Sequence, residues 1–183
     1  MLEIHADGSS SGKKYCTPKE VDGGLTWVGP GGWAFIIVRH NPFKLTRNIL
    51  LCDWGWEEET TNNIMEVTAA YKGLVAAERF REPLERVVLV SDSQVCLGLA
   101  SGKFSPTKNK EISTQLEHAL AQVRGTTRWV KGHSIKKSNQ EEVVAAARAG
   151  DTASWDRLMN FRCDQLAHMG KMRARELIYS EKR

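Results

Sequence analysis

Val87-Val88-Leu89-Val90-Ser91-Asp92-Ser93 decides the fold. A continuous apolar run of this kind cannot alternate between core and solvent, so the strand it forms is covered on both faces, as in a parallel sheet. Ser91-Asp92-Ser93 ends the strand, and a short helix over 93–100 starts there. A break at 102–106 precedes an amphipathic helix over 110–123, with Ile112, Leu116, Ala119, Leu120 and Val123 on one stripe. Thr126-Thr127-Arg128-Trp129-Val130 then reads as a further strand, stopping at Lys131-Gly132-His133-Ser134. Strand, helices and strand again make a parallel pair.

Upstream the rhythm is different. Leu2-Glu3-Ile4-His5-Ala6 alternates apolar and polar residues and runs into a turn at Asp7-Gly8-Ser9. Residues 9–32 are rich in Gly, Ser, Lys, Thr and Pro around Cys16 and Trp27, which predicts a long surface loop with room for a small hairpin, closing on Gly29-Pro30-Gly31-Gly32. Trp33 to His40 reads as a buried strand, and a turn at Asn41-Pro42 leads to a third strand over 48–56, giving an antiparallel meander. Thr60-Thr61-Asn62-Asn63-Ile64-Met65-Glu66-Val67 opens the first helix, predicted over 63–80, with Val67, Ala70, Tyr71, Leu74 and Val75 at helical spacing. Beyond Lys136-Lys137, Ser138-Asn139-Gln140-Glu141 has the form of a capping box opening an Ala-rich helix that ends at Gly150, and a last helix covers 155–177. The expected architecture is α/β: a five-stranded mixed sheet, three antiparallel meander strands plus two parallel, flanked by helices on both faces.

With 183 residues, 41% of them hydrophobic, the chain is expected to form one domain over 1–183. A net charge of +4 is compatible with a nucleic-acid partner if the basic residues cluster. Cys16, Cys52, Cys96 and Cys163 have no C-x-x-C or zinc spacing, which predicts reduced thiols in a cytoplasmic protein. No apolar run approaches the roughly 20 residues that span a bilayer, so no membrane role is expected.

Four acids stand where such a fold brings residues together. Asp7 ends the first strand, Glu66 lies in the first helix, Asp92 ends the fourth strand and Asp164 rides on the last helix. Singly, each has a plain explanation as a turn residue, an N-cap or a solvated helix acid. Strand ends facing one crevice are nevertheless where open α/β sheets place their sites. Oxygen ligands without His or Cys at zinc spacing favour Mg²⁺ or Mn²⁺. Two such ions about 3.5–4 Å apart could activate a water and stabilise the departing oxygen of a phosphodiester.

These blocks together resemble type 1 ribonuclease H. The resemblance rests on Asp7-Gly8-Ser9, Gly29-Pro30-Gly31-Gly32-Trp33-Ala34, Thr60 to Glu66, Ser91-Asp92-Ser93-Gln94, Trp129-Val130-Lys131-Gly132-His133-Ser134 and Asn160-Phe161-Arg162-Cys163-Asp164-Gln165-Leu166-Ala167, in the family's order. It implies a monomeric endoribonuclease acting on the RNA strand of RNA/DNA hybrids with two Mg²⁺ ions, for which Mn²⁺ can substitute, and leaving 5′-phosphate and 3′-hydroxyl ends. By motif match, Asp7, Glu66, Asp92 and Asp164 would be metal ligands, and His133 would assist proton transfer or product release. Asn62, Asn63 and Gln94 would read the RNA 2′-hydroxyl, with Glu66 accepting from it. Thr61 and Asn109 would hold a DNA phosphate. Gly8 and Ser9 would also contact substrate.

The sequence departs from the family pattern in three places. The Lys- and Trp-rich basic handle is absent, with only 102–108 in its place. Residues 9–28 form an insertion whose Lys13, Lys14 and Lys19 could reach phosphates. Residues 136–159 form a second insertion, predicted to add a helix beside the site as a lid or handle substitute, or else to pack on the core or a partner. Two competing functions are a DNA-directed nuclease of the same superfamily and a hybrid-binding module with little activity.

Overall fold

Alternation along the first strand sends Leu2, Ile4 and Ala6 into one core and turns Glu3, His5 and Asp7 to the opposite face. The computed structural model describes residues 1–21, 23–41, 43–44 and 46–180, so Pro42 of the expected turn lies outside the described residues. The strands are β1 (Leu2–Ser10), β2 (Thr17–Val21), β3 (Gly24–Asn41), β4 (Thr46–Thr60), β5 (Val87–Ser91) and β6 (Thr126–Trp129). The helices are α1 (Asn62–Ala77), α2 (Gln94–Ala100), α3 (Lys110–Gln122), α4 (Gln140–Arg148) and α5 (Thr152–Ser180).

β3 lies between β1 and β4 and is antiparallel to both, with Gly8 opposite Trp33 and Gly55 opposite Trp33 on the other side. On the far edge of β1, β5 pairs in parallel, Leu2 opposite Val87, and β6 pairs in parallel with β5. The expected meander and parallel pair are therefore present. A sixth strand is added to the expected five, because the long loop with room for a small hairpin does form that hairpin, β2 pairing with the first residues of β3, Thr17 opposite Val28. Gly29-Pro30-Gly31-Gly32 lies inside β3 and does not close a loop. Long-range pairing overrides the local turn composition there, with Ser10 opposite Gly31 and Gly29 opposite Thr60. Pro30 sits at the register shift between Gly29 and Gly31, where a missing N–H breaks no ladder bond.

One face of the sheet carries α1, α2 and α3 over a core that includes Phe35, Ile37, Leu74, Leu89 and Leu116. The other face carries α5 and α4 over Ile36, Val38, Met159, Cys163 and Ala167. α5 lies backbone-on-backbone against the sheet: a β-carbon on Gly32 would meet the Ala167 carbonyl oxygen at 2.1 Å. α4 packs on this second core through Val143 and Ala147, which favours the core-packing expectation for the 136–159 insertion. Its expected capping box does not form. Asn139 is the N-cap residue, and its side chain turns back to accept from Lys136 N at 2.7 Å and donate to Ser134 O at 3.2 Å. All four cysteines are unpaired thiols, and among the described residues no helix is long and apolar enough to cross a membrane.

Candidate active site

The site forms where the ends of β1 and β5 meet the first turns of α1 and the middle of α5. Asp7 follows Glu3 and His5 on the α5 face of β1 and is only 5% exposed, its Oδ1 accepting the Gly8 amide at 2.7 Å. Burial, joined by the charges of Asp92, Asp164 and Glu66, pushes its carboxyl up to about 8. Glu66, Asp92 and Asp164 are thus near enough to Asp7 for their charges to act on it.

Gly8 is where β1 meets α1. A β-carbon there would lie 2.3 Å from Glu66 N and 2.4 Å from Met65 C, so only glycine lets the helix start against the strand. Thr61 caps α1 by accepting Ile64 N at 3.3 Å, which orients Glu66 one turn later. The Asn62 amide donates to Glu66 Oε1 at 2.7 Å and its Oδ1 accepts Ser10 N at 3.2 Å. Glu66 Oε2 accepts from the Ser93 hydroxyl at 2.5 Å. Burial still raises the Glu66 carboxyl, against the lowering effect of these donors.

Ser93, not Asp92, caps α2, its hydroxyl accepting Cys96 N at 3.2 Å. Asp92 is therefore free of capping, and its carboxylate turns to the crevice. Its Oδ2 accepts from Asn160 Nδ2 at 3.3 Å, and its carbonyl accepts from Trp129 Nε1 at 3.0 Å. His133 is exposed on a left-handed turn (φ 47°) and, with Asn160 and Asp164, lines a small recess. Asn63 and Gln94 are exposed at the helix starts. A cavity of about 600 Å³ is lined by Thr61, Asn62, Asn63, Asn109, Trp27 and Phe104, and Asn62, by its bond to Glu66, joins it to the acids.

Several residues that shape the site were not singled out from sequence. Ser93 and Asn160 hold two of the acids; Asn160 lies one turn before Asp164 on α5, a spacing that puts both on one helix face. Trp27 reaches the cavity only because residues 17–28 form a hairpin. Lys171 donates to Ser9 Oγ at 2.8 Å. Of the three insertion lysines, Lys19 is tied to Glu59.

The tightest group of possible metal ligands among the described residues lies elsewhere. One ligand atom each from Glu3, His5 and Asp156 falls within 4.8 Å of the others, all buried under α5. Arg128 fills that role: its Nη2 donates to Glu3 Oε1 at 2.8 Å and to Asp156 Oδ1 at 2.9 Å, and its Nε lies 2.8 Å from Asp156 Oδ2. The guanidinium supplies the positive charge the two carboxylates need, so this is an ion-pair network joining β1, β6 and α5. Among the described residues, the crevice acids have no such cation within ion-pair distance.

With this geometry in place, a model of the RNase H family matches residues 2–151. Ribonuclease H of Pseudomonas putida (strain W619) is 30% identical over 163 residues, covering 82% of this chain and 93% of that protein. Ribonuclease H of Stutzerimonas stutzeri (strain A1501) is 28% identical, covering 80% and 89%. Among solved structures, the N-terminal RNase H domain of a Mycobacterium tuberculosis protein superposes with a TM-score of 0.65 at 18% identity, covering 97% of each chain. LC11-RNase H1, solved in complex with an RNA/DNA hybrid, gives a TM-score of 0.63 at 17% identity, covering 95% of this chain and 99% of that one.

Proposed function

The chain belongs to the ribonuclease H family, and on that premise we propose that it is an endoribonuclease that hydrolyses the RNA strand of RNA/DNA hybrids, leaving 5′-phosphate and 3′-hydroxyl ends. The observation that carries this reading is the convergence of Asp7, Glu66, Asp92 and Asp164: burial, joined by the charges of the other three acids, raises Asp7 to about 8. Four carboxylates so crowded call for cations, and an all-oxygen donor set fits Mg²⁺, with Mn²⁺ able to substitute. Asp7, Glu66, Asp92 and Asp164 would hold two ions. When bound, these ions supply an activated water and neutralise the departing oxygen.

The chain's own residues orient the substrate. Asn62, locked between Ser10 N and Glu66, sits with Asn63 and Gln94 to read the 2′-hydroxyl of the RNA, with Glu66 as a further acceptor. Thr61 and Asn109 hold a DNA-strand phosphate in the cavity they share. Gly8 and Ser9 lie along the RNA path beside Asp7. His133, exposed beside Asp164, assists proton transfer or release of product. The hybrid complex of LC11-RNase H1 supports the choice of substrate. We read residues 1–183 as one catalytic domain acting as a monomer in the cytoplasm, a location the four unpaired thiols support.

The test uses labelled RNA/DNA hybrid, double-stranded RNA, double-stranded DNA and a duplex with one embedded ribonucleotide, each with Mg²⁺ and with Mn²⁺. Cleavage of the hybrid with 5′-phosphate products is expected, and Asp92→Asn should abolish it while leaving hybrid binding intact. Cleavage of double-stranded DNA would move the chain to a DNA-directed function, and Mg²⁺-dependent cleavage by Asp92→Asn would overturn the assigned ligand.

A further inference from the structure

The basic residues divide into compensated and uncompensated sets. Lys19 pairs with Glu59, Arg39 with Glu82 and Glu85, Arg128 with Glu3 and Asp156, and Arg173 with Glu176. Among the described residues, no carboxylate lies within ion-pair distance of Lys14, Lys171 or Arg175. These three stand together. Lys171 lies two helical turns past Asp164 on α5, about 10 Å along the axis, and Arg175 one turn further, about 6 Å. Lys14 comes from the 3-10 turn Lys13–Tyr15 of the 9–28 insertion.

That turn is docked on the end of α5. Arg175 stacks on the Tyr15 ring at 3.7 Å, Lys14 covers the ring at 4.7 Å, and Tyr179 meets it edge-on at 5.9 Å. Beneath the turn, Gly29 leaves room for the Tyr15 carbonyl, which a β-carbon would meet at 2.6 Å. At the other end, Lys171 is held by its bond to Ser9 Oγ, beside the Asp7-Gly8 end of β1. Partial burial lowers the Lys171 pKa, with Asp164 opposing the shift and Arg175 adding to it. Cations fixed in place without carboxylate partners, leading away from a polyanion-cleaving site, fit phosphates.

Resting on the ribonuclease reading, we propose that Lys171, Arg175 and Lys14 form a phosphate-binding strip for the RNA strand flanking the cleaved bond, standing in for the absent basic handle. The strip's Lys171 end is tied to Ser9, next to Gly8 and Asp7, which the ribonuclease reading sets along the cleaved strand, so the strip is assigned to that strand and not its complement.

Binding of a hybrid by the Asp92→Asn protein, measured by fluorescence anisotropy across a salt series, tests this. Lys171→Met, Arg175→Gln and Lys14→Gln should each weaken binding and lower the slope of log K against log salt by about one. Lys171→Arg should restore the slope, which a purely structural role would not do, and far-UV circular dichroism confirms that each variant is folded. A neutral methylphosphonate in the RNA strand next to the cleavage site should erase the difference between Lys171→Met and its parent. An unchanged slope in the folded Lys171→Met/Arg175→Gln double variant would overturn the strip, and erasure by a methylphosphonate in the DNA strand would overturn its assignment to RNA. Failure of the ribonuclease reading has a separate signature: the unsubstituted protein would not cleave the hybrid at all.

Discussion

A β-carbon on Gly132 would come within 1.8 Å of Asp92 Oδ2. The loop after β6 therefore presses directly on the carboxylate that follows β5, and glycine is what makes room for it. The atom in the way is the tip of a side chain, so Gly132→Ala is relieved by rotating Asp92 and not by unfolding. We expect a folded protein with normal thermal stability whose kcat on hybrid falls on the order of 100-fold, the cost of displacing a positioned group by about 1 Å. Steady-state kinetics beside a melting curve separates the two effects.

Gly8→Ala should behave differently. Its β-carbon would strike Glu66 N and Met65 C, which are backbone atoms and cannot rotate away. α1 must then lift from β1, with an expected loss of about 1–3 kcal/mol in stability as well as displacement of Glu66. Urea unfolding should show a lower midpoint for Gly8→Ala and an unchanged one for Gly132→Ala.

Ser93 does two jobs at once, capping α2 and donating to Glu66 Oε2. Ser93→Ala should cost about 1 kcal/mol as a lost cap. It also removes a donor that holds the Glu66 carboxyl down against burial, so the proton competes better for that carboxylate. The Mg²⁺ concentration for half-maximal hybrid cleavage should rise, and the gap from the parent should widen as pH falls. A gap that does not change with pH would argue against this role for the hydroxyl.

Acid stability should depend on Glu3. Burial by itself would raise the Glu3 carboxyl, but the neighbouring His5 and Arg128 outweigh it and lower the carboxyl from 4.5 to about 2. A depressed folded pKa adds stability that is fully present above 4.5 and is lost as pH falls through about 2. Arg128→Met leaves Glu3 buried without its guanidinium partner and should cost about 3–5 kcal/mol near neutral pH. Part of that cost should disappear below pH 4.5 as Glu3 takes up a proton, which urea midpoints measured from pH 2 to 7 would reveal.

The apolar run at 87–90, the alternation at 2–6 and the periodicity after Glu66 were enough to predict the meander, the parallel pair and helices on both faces. They were enough because each is a local pattern that has one economical way to bury its apolar face. The same patterns put Asp7, Glu66, Asp92 and Asp164 at strand ends and helix faces that the fold brings to one crevice. Turn chemistry misled at 29–32, where a Gly- and Pro-rich segment reads as the close of a loop but lies in β3, since pairing on both edges outweighs local preference. At 138–141 the capping-box pattern is present, yet Asn139 bonds the loop before it instead.

Sequence by itself thus determined the layer order, because that follows from local pattern along the chain, and through its motifs the resemblance to the family; the four acids it singled out are those the ligand proposal rests on. Tertiary structure alone decided which neutral side chains steady those acids and which cations stand free. Ser93 reaches Glu66 across 27 residues, Asn160 reaches Asp92 across 68, and Lys171 reaches Ser9 across 162. No local pattern encodes contacts at such separations; the first arises when α1 and α2 pack side by side on one face, and the other two when α5 settles onto the opposite face at Gly32.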